Sequence, residues 1–199
     1  MQSRVAKKPY NPILGEVFRC KWDLSDIGLG VTTYLGEQVS HHPPVSAFYF
    51  ENKERQMFIN SYVRTQSKFL GTSVAALLLG KAVVSFGTVG EDYVCTYPNA
   101  YGRSIFSVPK LELGGKTTVR CLQSGFYAEV EFKTKAFFGG THDVSFLGPF
   151  LCGVWCACVC VSLALLWPNP PPRLLFPSPL PPLEHRPSSA IATRATLRW

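Results

Sequence analysis

Between Val31 and Phe132 the chain is a series of short β-branched and aromatic runs cut by Gly, Asn, Asp or Pro, and this rhythm restricts the fold more than any other feature. Residues 31–35, 45–50, 57–63, 82–86 and 93–97 are such runs, and their spacing predicts an antiparallel meander. The clearest hairpin spans residues 117–132 around Ser124-Gly125. Val119 and Cys121 alternate on one arm, and Phe126, Ala128, Val130 and Phe132 on the other. Arg120, Glu129, Glu131 and Lys133 fall on the opposite face. One wet and one dry face suit a barrel wall, and a β-sandwich gives the same alternation. Residues 73–80 read either way, helical by their Ala and Leu content and strand-like by their length; Leu77, Leu78 and Leu79 are read as core.

A chain of 199 residues with 46% hydrophobic and 17% charged residues is long enough for one domain with a real core. Its composition breaks near Asp143. Residues 144–167 carry no charge and are long enough, as a helix, to cross a bilayer core of about 30 Å. Pro149 and Gly153 interrupt that run early, leaving a shorter clean stretch, 154–167. Beyond it lie nine of the sixteen prolines, a composition for polyproline II or disorder rather than a packed unit. The expected organisation is therefore a folded domain over 1–143, an apolar Cys-rich segment over 144–167 and a Pro-rich disordered tail over 168–199. The apolar segment is either a membrane span or an aberrant exon. Cys152, Cys156, Cys158 and Cys160 lack the His or acid partners of a metal site.

Charge gives a mild basic bias, 16 basic against 12 acidic residues in 1–143 and 4 against 1 in 144–199. That suits transient contact with anionic membrane surfaces, and without a basic stripe interleaved with aromatics it argues against nucleic acid. The opening residues are basic and proline-punctuated, with no apolar core of a secretory signal, so a cytoplasmic protein is expected. Cys20, Cys95 and Cys121 are widely separated and read as thiols.

Two motifs carry the chemistry. Glu37-Gln38-Val39-Ser40-His41-His42-Pro43-Pro44 sets two adjacent imidazoles before a diproline. Pro43 holds His42 extended, and both rings can meet one ligand only at a bend. A His-His pair by itself is ordinarily a solvated turn, and zinc needs further convergent ligands that are missing nearby. The second motif, Lys7-Lys8-Pro9-Tyr10-Asn11-Pro12-Ile13-Leu14-Gly15-Glu16, offers an ammonium and an amide from an extended loop.

Together the two motifs resemble the oxysterol-binding protein related family of lipid-transfer proteins. The similarity continues in order through Ser67-Lys68-Phe69-Leu70-Gly71, Glu91-Asp92-Tyr93, Gly102-Arg103-Ser104-Ile105, Leu111-Glu112-Leu113-Gly114-Gly115-Lys116 and Phe137-Phe138-Gly139-Gly140. It implies a mainly β fold, a partial antiparallel β-barrel around an apolar tunnel, with a non-homologous apolar and Pro-rich C-terminal tail. It also implies non-vesicular transfer of phosphatidylinositol 4-phosphate in exchange for a sterol or phosphatidylserine, peripheral at membranes such as endoplasmic reticulum contact sites. Lys8, Asn11, His41 and His42 would be the lipid phosphate contacts.

The residue types fit that role. A phosphomonoester near neutral pH carries close to two charges and favours protonated imidazoles, so binding is expected to weaken as pH rises. No catalytic residue, cofactor or metal is expected, since no nucleophile elbow, phosphate loop or paired-acid motif occurs. The family's later Lys, Glu and Arg cluster and its lid are not recognisable. The chain is accordingly expected to be a truncated member with impaired transfer. A tail-anchored or dominant-negative interaction protein is the alternative.

Overall fold

The computed structural model describes residues 2–4, 10–103, 110–134, 143–147 and 194–198. They form twelve strands: β1 (Gln2–Arg4), β2 (Val17–Asp23), β3 (Val31–Ser40), β4 (Val45–Asn52), β5 (Met57–Phe69), β6 (Val74–Phe86), β7 (Glu91–Thr96), β8 (Asn99–Arg103), β9 (Lys110–Cys121), β10 (Tyr127–Lys133), β11 (Asp143–Leu147) and β12 (Arg194–Arg198). All belong to one antiparallel sheet with the order β12-β11-β10-β9-β7-β6-β5-β4-β3-β2, while β1 pairs with β9 and β8 bridges β6 and β9. Consecutive hairpins build the run from β2 to β7, the local connectivity that short polar turns favour.

The register explains the core. Ile59 pairs with Val84, Val84 with Tyr93 and Tyr93 with Cys121, while Ala82 pairs with Cys95 and Cys95 with Val119. These side chains share the dry face and join Phe48, Val63 and Leu78 in one buried cluster. Burying each larger aliphatic there contributes about 1.5–3 kcal/mol. The hairpin read at residues 117–132 is β9–β10, with Val119 opposite Ala128 and Tyr127 opposite Arg120. At Gly80, opposite Val63, an added Cβ would lie 2.2 Å from the Tyr62 carbonyl oxygen at a φ of +150°, so the close β5–β6 approach needs glycine.

The structure adds to four of these readings. Of residues 73–80, readable either way, 74–80 open β6, where Val74, Ala75 and Ala76 pair with both β5 and β8 and the three leucines pair with β5. Of the three leucines read as core only Leu78 is buried. Leu79 is exposed because strand alternation turns it to the other face. Cys20 and Cys121 are free thiols, whereas Cys95 is disulfide-bonded. Arg194–Arg198, inside the segment expected to lack structure, is a strand paired with β11. The composition break at Asp143 falls at the first residue of β11; residues 148–193, which carry most of the apolar segment and the proline tract, lie outside the described residues. Among the described residues no helix is long and apolar enough to cross a membrane.

Candidate functional site

Towards its C-terminal end β3 loses regular pairing. Its register with β4 shifts between Gln38 and Ser40, which leaves Val39 as an extra residue and bends the strand. A buried amide fixes the bend: Gln38 Nε2 donates to the Ser40 carbonyl at 2.7 Å, and Gln38 Oε1 accepts from Ser46 Oγ across the turn. His41, His42, Pro43 and Pro44 then form the exposed turn into β4, with the His42–Pro43 peptide cis. The two imidazole centroids are 4.6 Å apart and inclined at 61°. Thr65 N on β5 donates to the Pro44 carbonyl at 3.3 Å and holds the far side of the turn.

The loop bearing Asn11 is tied to the same place. Glu16 N bonds the Ile13 carbonyl at 3.0 Å, and Glu16 Oε2 accepts from Ile13 N at 3.0 Å. This tight turn has Gly15 at a φ of +78°, a conformation that favours glycine. Gly15 N then donates to the Gln38 carbonyl at 2.8 Å, and Gln38 N to the Glu16 carbonyl at 3.1 Å. Asn11 is thus four residues from a bond to β3, and His41 three residues from the same anchor, at one end of the sheet. Lys8, the remaining candidate, lies outside the described residues, as does Phe137-Phe138-Gly139-Gly140.

Sequence reasoning missed Gln38, Ser46 and Thr65 as positioning groups. The available signal was a Gln in phase with Thr32 and Tyr34 along the strand, three residues before the histidine pair. It also missed the aromatic wall next to the turn, where Tyr34 meets Phe18, Trp22 and Phe48 at 6.0–6.4 Å and Trp22 meets Phe50 at 5.8 Å. Burial raises the Tyr34 phenol above its usual range, so it remains a neutral hydroxyl in that wall. Among the described residues no group of three His, Cys, Asp or Glu could hold a metal ion.

An exposed imidazole pair, with an amide loop tied beside it and an aromatic face next to it, presents hydrogen-bond donors suited to an anion. A model of the family described as oxysterol-binding protein matches residues 1–147. The chain belongs to the oxysterol-binding protein family. Oxysterol-binding protein-related protein 9 of Xenopus tropicalis is 44% identical over 153 residues, and related protein 5 of Homo sapiens 47% over 140 residues. Those alignments cover 68% and 70% of this chain but only 21% and 16% of the relatives, so the chain spans about a fifth of their length. The Saccharomyces cerevisiae Osh3 ORD, solved in complex with PI(4)P, superposes with a TM-score of 0.59 at 26% identity, over 71% of this chain and 37% of that one. The Osh1 ORD domain solved with ergosterol gives 0.59 at 28% identity, over 76% and 35%. The fold is therefore a partial antiparallel β-barrel of the oxysterol-binding protein type.

Proposed function

We propose that Asn11, His41 and His42, with Lys8, hold the phosphate of phosphatidylinositol 4-phosphate, and that the domain exchanges this lipid for a sterol or phosphatidylserine between membranes. The observation that carries the reading is the backbone bond from Gly15 to Gln38, which ties the amide-bearing loop beside the histidine turn. Support for the lipid class comes from similar domains solved with PI(4)P, ergosterol and cholesterol. The chemistry is binding and release, with no bond made or broken. The protein works in the cytoplasm, peripherally at membranes, endoplasmic reticulum contact sites among them.

Each charge-assisted bond from an imidazole to a phosphate contributes about 1.5–3 kcal/mol, so removing both predicts roughly a hundredfold or greater loss of affinity. Extraction of labelled phosphatidylinositol 4-phosphate from liposomes measures it. The double variant His41→Ala/His42→Ala should extract far less lipid while its unfolding midpoint stays at the parent value, because both rings are exposed. Equal extraction by parent and variant would remove the histidines from the site.

A further inference from the structure

The β5–β6 hairpin runs past β4 on one side, while on the other β8 stays paired with β6 down to Val74. β4 begins at Val45, opposite Arg64, yet β5 and β6 remain paired for five more steps, to Phe69 opposite Val74. Every β5 residue from Arg64 to Phe69 is exposed, so the inward–outward alternation of the earlier part is lost. At the tip stand two large apolar side chains, Phe69 at 69% and Leu70 at 53% exposure. From Met57 to Phe86 the hairpin contains three cations, Arg64, Lys68 and Lys81, and no acidic residue.

The opposite end of the sheet has another character. Its turns and strand ends carry Asp23, Asp26, Glu54, Glu91 and Asp92 interleaved with Lys21, Lys53, Arg55 and Arg120. The acids nearest the histidine turn, Glu16 and Glu37, lie on the side away from the tip, and Glu16 is already bonded to Ile13 N. The β5–β6 tip thus joins two exposed apolar side chains to nearby cations in a hairpin without acids, whereas Leu122 and Ile27 at the far end stand among charges of both signs.

We propose that the Phe69-Leu70 tip is a wedge that enters an anionic phospholipid bilayer, with Lys68 and Arg64 meeting the headgroup charge. The geometry gives the wedge a second consequence. Thr65 touches the histidine turn through Pro44, and Phe69 is four residues further on. At about 3.3 Å per residue, and with a barrel-like tilt, the tip projects about 9–13 Å beyond the turn. Apolar groups of a surface-bound element settle about 5–10 Å into the boundary between headgroups and acyl chains. A tip at that depth puts His41 and His42 level with the headgroups, where a phosphorylated inositol stands. The wedge thus sets the height of the headgroup site. It rests on the lipid reading above and deepens it by naming the surface from which lipid is taken.

The test uses the full chain and vesicles without phosphoinositide, one set of phosphatidylcholine alone and one of phosphatidylcholine with phosphatidylserine. Co-sedimentation should be strong on the anionic set and weak on the neutral one. Phe69→Asp/Leu70→Asp should reduce binding to the anionic set by about tenfold or more. Leu122→Asp, at an 86% exposed apolar residue of the opposite end, should leave it unchanged. In a second readout a Phe69→Trp variant should shift its emission to the blue on those vesicles. Unchanged binding of the double aspartate variant, absence of parent binding, or an unshifted tryptophan would overturn the wedge. Failure of the headgroup site reads out differently: His41→Ala/His42→Ala should keep its binding to these vesicles and lose only phosphatidylinositol 4-phosphate extraction.

Discussion

The wall from β5 to β9 and the margin from β2 to β3 are parts of the same sheet held together in different ways. In the wall, cross-strand neighbours Ile59, Val84, Ala82, Cys95 and Cys121 are almost fully excluded from water. In the margin, Val17, Phe18, Val31, Leu35 and Val39 stay exposed, and order comes from aromatic ring contacts and from the bonds around Gln38. The difference teaches that stability sits in the wall, while the candidate site sits where burial is slight and hydrogen bonds fix geometry. Substitutions should therefore separate folding from binding. The strongest test is Ile59→Ala, which removes a 2% exposed side chain and should cost about 2–5 kcal/mol in denaturant unfolding. Phe18→Ala, at 57% exposure, should cost less than about 1 kcal/mol. Equal losses would erase the distinction between the two regions.

Gln38 is the margin's exception, because it is buried and its amide spans the bulge and the turn. Replacing it by Ala strands Ser46 Oγ and the Ser40 carbonyl, and should cost about 1–3 kcal/mol. It should also weaken phosphatidylinositol 4-phosphate extraction, since the imidazoles lose their fixed presentation. Liposome extraction and an unfolding curve on the same preparation measure both effects. Full extraction by a destabilised Gln38→Ala protein would show that the bulge supports the fold alone and leaves the site indifferent.

What the sequence disclosed follows the same division. Runs of alternating apolar residues located β3, β4, the first half of β5, the second half of β6, β7 and the β9–β10 hairpin, because there burial of one face leaves its period in the residues. It did not disclose β2, where Arg19, Lys21 and Asp23 blur the pattern at an edge, nor the β5 extension through Thr65, Gln66, Ser67 and Lys68, where neither face is buried. Backbone pairing with β6 fixes that extension, and such pairing writes no periodicity into the side chains. The histidine turn was legible from its two imidazoles and diproline. Its support was not, since the bulge at Val39 is a matter of strand register and the bond from Gly15 to Gln38 joins segments more than twenty residues apart through main-chain atoms.

Tyr97, just beyond β7, is buried in the wall and gives the smallest expected effect. Its hydroxyl is hydrogen-bonded to Ser61 Oγ in the wall, and Ser61 Oγ donates to the Lys81 carbonyl at 3.1 Å. Burial, reinforced by the nearby phenols of Tyr34 and Tyr62, raises the Tyr97 phenol well above the usual tyrosine value of 10.0. A folded-state value above the unfolded one means that the native state keeps its proton longer, so the contribution is fully present below pH 10 and is lost as pH rises beyond it. Tyr97→Phe should lose about 1 kcal/mol near neutral pH, the net value of the hydrogen bond, and its stability should fall less steeply than the parent's in the alkaline range. Tyr34, raised by burial in the same direction, should leave the variant a residual slope. Parallel curves for parent and variant above pH 10 would mean that Tyr97 does not carry the alkaline loss of stability.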